Sequence, residues 1–381
     1  MSEYVEVEHT SWGNRIGNSI GGIFFGLLMV VIGSGLLWYN EGRSVKRAKA
    51  LKEGQGQTVT LESIDSVDPA TEGKLVHATG DAVTSDTLKD PVFGIEAKAI
   101  ALNRIVEMYQ YEEKKRTEEK KNVGGSTTKN TYYSYKETWD SKRIDSSKFK
   151  DPEAPDNPPM DVKGHRSNAR KVTFGAYTLP SSLVSKMKGG RSIAPNDQAL
   201  EAAREIRDNA QLDGEHIYLG ADPVSPTVGD IRISFEMTPE GTVSVLAKQK
   251  GSTFAPFHTS SEKESKIFAL RMGALSKDEM YSKEKTDNFF LTWGLRVGGF
   301  VLILFGFNLI LGPLSVLADV IPLIGNIVGG VTFVVSLVLA TGLSSLVAAI
   351  AWVFFRPIVG IPLLVVSLGS FICLFFVGKK K

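Results

Sequence analysis

Histidine is the first place to look for chemistry in this chain. The five are His9, His77, His165, His216 and His258. No two stand at metal-ligand spacing on one helix, and none neighbours a carboxylate pair. The single cysteine, Cys373, lies in an apolar run and excludes both an internal disulfide and a Cys-built zinc site within one chain. The nucleophile elbow G-x-S-x-G, the zinc motif H-E-x-x-H, the P-loop and the dinucleotide fingerprint are all missing from the sequence. Glu112-Glu113 and Glu118-Glu119 are interleaved with Lys and Arg. That texture is one of solvated salt bridges, unlike an acid/base pair. The residues therefore predict no catalytic site, no metal and no cofactor.

Charge carries more information once it is mapped. The totals are 44 Lys+Arg and 42 Asp+Glu, a formal net charge of +2. A balance so near zero gives no general pull on nucleic acid. Four stretches hold no charged residue: Ile16 to Asn40, Val297 to Ala318, Val320 to Phe355 and Pro357 to Gly378. A helix needs roughly 20 apolar residues to cross a bilayer core. Ile16 to Tyr39 exceeds that, with Trp12, Trp38 and Tyr39 where an aromatic belt would sit. It is longer than a signal-peptide core and ends without a small-x-small site, so an uncleaved anchor is expected.

At the far end Val297 to Leu311 begins a second span, which Gly312-Pro313 is expected to break. Val320 to Phe355 would be ~54 Å long as one helix, too long for one crossing. Pro322, Gly325 and Asn326 suggest a division. Leu314 to Asn326 is read as an in-plane or re-entrant piece, Ile327 to Phe355 as the third span and Ile358 to Val377 as the fourth. The expected organisation is an N-terminal tail at 1–15, a first transmembrane helix at 16–40 and an extramembrane α+β domain at 41–296. Three transmembrane helices follow at 297–378, with an interfacial segment near 314–326 and a basic tail at 379–381. Both termini then lie on one side and the large domain on the other.

The polar domain reads as mostly β. Thr58 to Val67 and Lys74 to Val83 are rich in β-branched residues. Ile95 to Tyr111 and the aromatic run Tyr132 to Trp139 are expected to pair. The charged stretch 112–130 between them would be a solvated hairpin tip. Ile231, Ile233 and Phe235 alternate with polar residues, as do Val243 and Val245 beyond Pro239-Glu240-Gly241, which predicts a second hairpin. Gln198 to Leu212 is the one good helix candidate, with an Ala-rich face. The fold class is a membrane protein of four helices with a large β-rich α+β domain inserted between the first and second.

Two sets of residues stand out as candidate sites. The basic run Arg43, Lys46, Arg47 and Lys49 follows the first span directly. It could hold anionic lipid headgroups at roughly 1 kcal/mol per side chain, or it could simply snorkel and fix helix depth. Trp293, Arg296 and Arg356 flank the later spans as further interface anchors. Inside the spans no ionisable group replaces those a proton relay or transporter normally uses. Gly329, Gly330, Gly342 and Ala349 suggest close helix packing, and Asn308 an interhelical hydrogen bond.

A family resemblance runs through the chain. Ser11-Trp12, Arg15-Ile-Gly-Asn-Ser19 and Trp38-Tyr-Asn40-Glu41-Gly42-Arg43 resemble the entry and exit of the first span in the transmembrane protein 43 family, also called LUMA. So do Val106-Glu107-Met108-Tyr109-Gln110, Gly229-Asp230-Ile-Arg232, Thr292-Trp293-Gly294-Leu295-Arg296 and Phe355-Arg356-Pro357. The resemblance implies four spans with the large domain outside the cytoplasm. That side is the lumen of the endoplasmic reticulum and nuclear envelope in animals, or the periplasm in a bacterial member. It further implies an organiser of membrane protein complexes, linked in animals to emerin and lamins, with no established catalytic activity. Charge alone points the other way, since the positive-inside rule would leave the domain in the cytoplasm. No Asn-x-Ser/Thr sequon occurs, which is compatible with a bacterial source.

The expected function is a non-enzymatic integral membrane scaffold whose partners are the bilayer, further copies of itself and other membrane proteins, with no nucleic acid. A transporter or channel is one alternative. A membrane-tethered enzyme or ligand-binding module is another, and a deep pocket with convergent polar groups in the domain would support it.

Overall fold

A computed structural model describes residues 3–260, 262–358 and 361. Its framework is three long helices. α1 runs Trp12–Gln57, started by the Ser11 side chain accepting from the Asn14 N–H. After two short helices in the domain, α2 (Ser181–Val184) and α3 (Asp197–Arg204), come α4 (Lys277–Ala318) and α5 (Pro322–Phe355). α4 opens with a reciprocal capping box between Ser276 and Glu279. Among the described residues α1, α4 and α5 are long and apolar enough to cross a membrane. The expected fourth span lies almost wholly outside the described residues.

α1 and α4 are antiparallel and meet through glycine. A Cβ on Gly26 would lie 2.5 Å from the Gly306 carbonyl oxygen, and one on Gly33 2.9 Å from that of Gly299. Both pairs are seven residues apart, so the same helix face repeats and the backbones approach closely. Leu37, Ile303 and Ala340 of α5 fill the interior beside this seam. Beyond Asn40, α1 does not stop. It continues to Gln57 and pairs with the first turns of α4 as a stalk, where Leu51, Met280 and Tyr281 are buried.

Two readings of the C-terminal part need correction. Pro313 does not end the second span, because α4 continues through it to Ala318. The lost hydrogen bond falls within two turns of the helix end, where few bonds depend on it. The segment 314–326, read as one in-plane or re-entrant piece, is instead divided: residues 314–318 belong to α4 and 322–326 to α5. The break is at Asp319–Ile321, followed by Pro322 at the first turn of α5, where proline is tolerated.

The domain is built from two sheets. In the first, neighbouring strands are Tyr4–Thr10, Thr127–Asp140, Ala101–Lys121, Ile231–Thr238, His216–Leu219 and Ala210–Asp213. One core packs on it, around Phe93, Met108, Ile217, Ile233 and Phe235. In the second, Gly241–Lys250 pairs with Ala269–Met272, Thr253–Ala255 and Leu75–Val83. Further links through Tyr177–Leu179 and Val172–Phe174 return to Leu75–Val83, so five strands close a ring around Val76, Phe174, Tyr177 and Val245. A closed ring leaves few free edges.

Alternation found the strands but not always their partners. Ile231–Thr238 and Gly241–Lys250 do not form a hairpin. The chain crosses at Pro239-Glu240 from one sheet to the other, and Ile231–Thr238 pairs with Ala101–Lys121 from Ile231 opposite Met108 to Thr238 opposite Ala101. Period-two patterning fixes which face is buried and leaves the neighbour open. The helix expected over 198–212 stops at Arg204, and residues 210–213 turn into a strand opposite His216–Leu219. Gly214, at φ +58°, makes the reversal that draws them there. Of the Thr58 to Val67 run, only Val59–Thr60 is strand.

The long hairpin Ala101–Lys121 with Thr127–Asp140 is as expected, but its tip is partly covered: Gly125 is buried while Val123 stays exposed. Tyr4–Thr10 adds a third strand to it. The tip rests on the far ends of the helices: Arg15 donates to the Gly125 carbonyl at 2.5 Å, and the Gly124 N–H to that of Val320 at 3.0 Å. Asp319, 1% exposed, binds Lys121 at 2.7 Å and also Arg15. Trp12 donates to the Val316 carbonyl at 2.9 Å and covers Gly125.

Candidate membrane-interface site

Where the apolar part of the helices ends, polar side chains converge from three helices. Glu41, the first charged residue after the uncharged run of α1, is 1% exposed. Arg296 grips it with two hydrogen bonds, Nε to Oε1 at 2.6 Å and a terminal nitrogen to Oε2 at 2.9 Å. The Trp352 indole of α5 donates to the same Oε2 at 2.8 Å. One carboxylate thus ties α1, α4 and α5 together. Removing one partner of such a buried pair typically costs about 3–5 kcal/mol. The Arg296 guanidinium also lies 4.9 Å from the Trp293 ring centre, which places that exposed ring at the interface.

One turn earlier in α4, at Thr292, a second layer forms. Asn40 donates to the Thr292 carbonyl at 3.0 Å. Arg43 donates to Asn288 at 3.0 Å, Thr292 at 3.1 Å and Asn40 at 3.2 Å. Its Nε is buried without an acceptor. Gly42 is required by close approach: a Cβ there would lie 2.7 Å from the Phe355 ring. The segments at 38–43, 292–296 and 355–357, far apart in sequence, are therefore one structural unit.

Above this layer a cavity of about 570 Å³ opens between α1 and the domain. Trp38, Tyr39 and Phe355 line its membrane end. Arg43, Lys46 and Arg47 project into it from α1, and Lys186, Lys266 and Phe268 from the domain. Lys46 pairs with Glu264 and Arg47 with Glu284, each at 2.7 Å. Among the described residues Arg43, Lys186 and Lys266 have no carboxylate partner. Burial holds the Lys186 ammonium below its usual range. Lys266, Arg271 and Arg47 add to that, while Glu284 opposes it.

The predicted anchors divide accordingly. Arg43, Lys46 and Arg47 share the cavity, while Lys49 lies outside it and reaches Glu262 at 3.8 Å. Arg296 serves the Glu41 clasp, Trp293 stacks below it, and Arg356 is exposed at the end of α5. The packing residues divide too. Gly329 lies 3.9 Å from the Ser315 Cβ, whereas a Cβ on Gly330 or Gly342 meets nothing among the described residues. Ala349 is half-buried. Asn308 is half-buried in α4 and makes no side-chain hydrogen bond among the described residues. Sequence reasoning missed Glu41, Trp352, Lys186, Lys266 and the glycines of the α1–α4 seam. Glu41 alone carried a signal, a carboxylate directly after an apolar run facing an Arg directly before another.

The sequence pattern of the transmembrane protein 43 family matches residues 108–357. Transmembrane protein 43 of Homo sapiens is 33% identical over 372 residues, covering 93% of this chain and 90% of that protein. The Mus musculus protein is 33% identical over 357 residues, covering 90% and 87%. The transmembrane protein 43 homolog of Drosophila melanogaster is 29% identical over 360 residues, covering 91% and 92%. No solved structure matches the chain. With half the chain and more matched, and the interface motifs joined in space, this chain belongs to the transmembrane protein 43 family.

Proposed function

We propose that the chain is a non-enzymatic integral membrane scaffold that self-associates and organises other membrane proteins, with its large domain on the extracytoplasmic side. One observation carries self-association. The glycines that clasp the helices of one chain are Gly26, Gly33, Gly299 and Gly306. Gly330 and Gly342 of α5 stand on open ground among the described residues, on a helix with Val334, Val338 and Leu346 exposed. Lipid tails are as apolar as these side chains, so apolarity alone draws no partner. Small residues do, by letting backbones approach. The orientation rests on the family resemblance and on the weakness of the positive-inside rule for long loops.

The test is the mass of the purified full chain in mild detergent and in nanodiscs. A homo-oligomer is expected, weakened by Gly342→Leu or Ala349→Leu. A monodisperse monomer in both media contradicts self-association. Oligomers intact in both variants would place the interface in the extramembrane domain instead.

A further inference from the structure

We propose that the cavity between α1 and the domain is a binding site for the phosphate headgroup of an anionic phospholipid, its acyl chains descending past Trp38 and Phe355. The site rests on the bilayer boundary lying near Trp38 and is independent of self-association.

Its chemistry is asymmetric in charge. Five basic side chains face it, Arg43, Lys46 and Arg47 from α1 and Lys186 and Lys266 from the domain, against the carboxylates of Glu264 and Glu284. Those two are already engaged by Lys46 and Arg47. The remaining three cations form no ion pair among the described residues, and Lys186 donates to the Phe268 carbonyl. Cations held together without a counter-ion repel one another, and an anion between them relieves that. Arg43 also lines the cavity, its guanidinium held in place by Asn288, Thr292 and Asn40. Guanidinium and ammonium groups together match the oxygens of a phosphate.

The position selects a lipid over a soluble anion. The site opens one turn beyond the apolar part of α1, the height at which headgroups lie. Its membrane end is aromatic: Trp38 packs edge-on to Phe355 at 5.7 Å, and Tyr39 is 65% exposed. Rings at this depth suit the glycerol and upper acyl region. The volume suits a headgroup and leaves the chains on the helix wall. A zwitterionic headgroup would bring its own cation and leave the excess charge uncompensated.

The experiment uses delipidated full-length protein in nanodiscs of phosphatidylcholine with graded phosphatidylglycerol, read by native mass spectrometry of retained lipid. Wild type is expected to retain phosphatidylglycerol in preference to phosphatidylcholine. Lys186→Gln with Lys266→Gln removes two cations that form no ion pair among the described residues and should weaken that retention about tenfold or more, with a thermal melt checking that the Phe268 contact of Lys186 is dispensable. Lys49→Gln, outside the cavity, should leave it unchanged. Arg43→Gln is expected to act in the same direction, with a thermal melt checking that its polar layer survives. Equal retention of the two lipids, or retention unaffected by the lysine pair, overturns the proposal. Displacement of bound lipid by millimolar inorganic phosphate would overturn the lipid assignment in favour of a free-phosphate site.

Discussion

His77 shows how a residue without catalytic surroundings still has a measurable consequence. It is 4% exposed, and its Nε2 lies 2.9 Å from the Leu275 carbonyl, so that nitrogen donates. Nδ1 is buried with no partner. Burial lowers its pKa from the ordinary 6.5; the carbonyl contact opposes this, and Lys277 adds to it. A lowered folded-state pKa favours the neutral ring in the folded protein. Its stabilising contribution is complete above the unfolded value and is lost as pH falls from about 6.5 towards the folded pKa. The melting temperature of the purified protein should therefore drop between pH 7.5 and 5.5. His77→Gln, which can keep the bond to Leu275, should flatten that drop. Identical pH profiles for the two proteins would refute this assignment. Sequence spacing could be read for the histidines, but burial could not: only the ring strand Leu75–Val83 explains why this one is enclosed.

At the scale of helices, small residues in different places do different work. Gly306 faces the Gly26 carbonyl oxygen at 2.7 Å and the Val30 side chain at the same distance, measured from a Cβ it lacks. Gly306→Leu must push α1 and α4 apart, and overpacking of this kind costs about 1–3 kcal/mol or more. Gly342→Leu meets nothing among the described residues. Melting in detergent should separate them, with a lower midpoint for Gly306→Leu and an unchanged one for Gly342→Leu. Equal destabilisation by both would show that α5 packs through Gly342 within one chain. The existence of the helices was legible because charge-free runs of such length have few other uses. Their pairing was not, since composition marked α5 as richest in small residues while the intrachain seam uses four glycines of α1 and α4. The extension of α1 to Gln57 was hidden for a similar reason. Arg43, Lys46 and Arg47 look like a solvated flank, and only docking against Glu284 and the domain makes that flank a helical stalk.

For the whole molecule, the question is where the bilayer lies relative to the charged ribbon. The domain meets α1 near Arg47, where the Lys266 carbonyl accepts from it at 2.5 Å, while the hairpin tip meets Arg15 at the other end. The ribbon therefore stands beside the apolar stretch 16–40. Residues 112–121 carry nine charged side chains. At hydrocarbon depth each costs about 2.5–3.5 kcal/mol, roughly 20–30 kcal/mol together. The tip contacts with Asp319, Val320 and Arg15, and the pairing of Tyr4–Thr10 with the hairpin, oppose that cost. The proposed topology therefore requires the bilayer to part the tip from Asp319 and the hairpin from its partner strand Tyr4–Thr10.

The most direct test of this account is site-specific labelling in sealed vesicles of known orientation. Ser126→Cys and Glu3→Cys would each be made in a Cys373→Ser background and exposed to a membrane-impermeant maleimide. The account expects Ser126→Cys to react from the extracytoplasmic face and Glu3→Cys only from the opposite one. Reaction of both positions from the same face would contradict it, keeping the hairpin and the strand Tyr4–Thr10 paired as they are in the structure and removing the bilayer from residues 16–40.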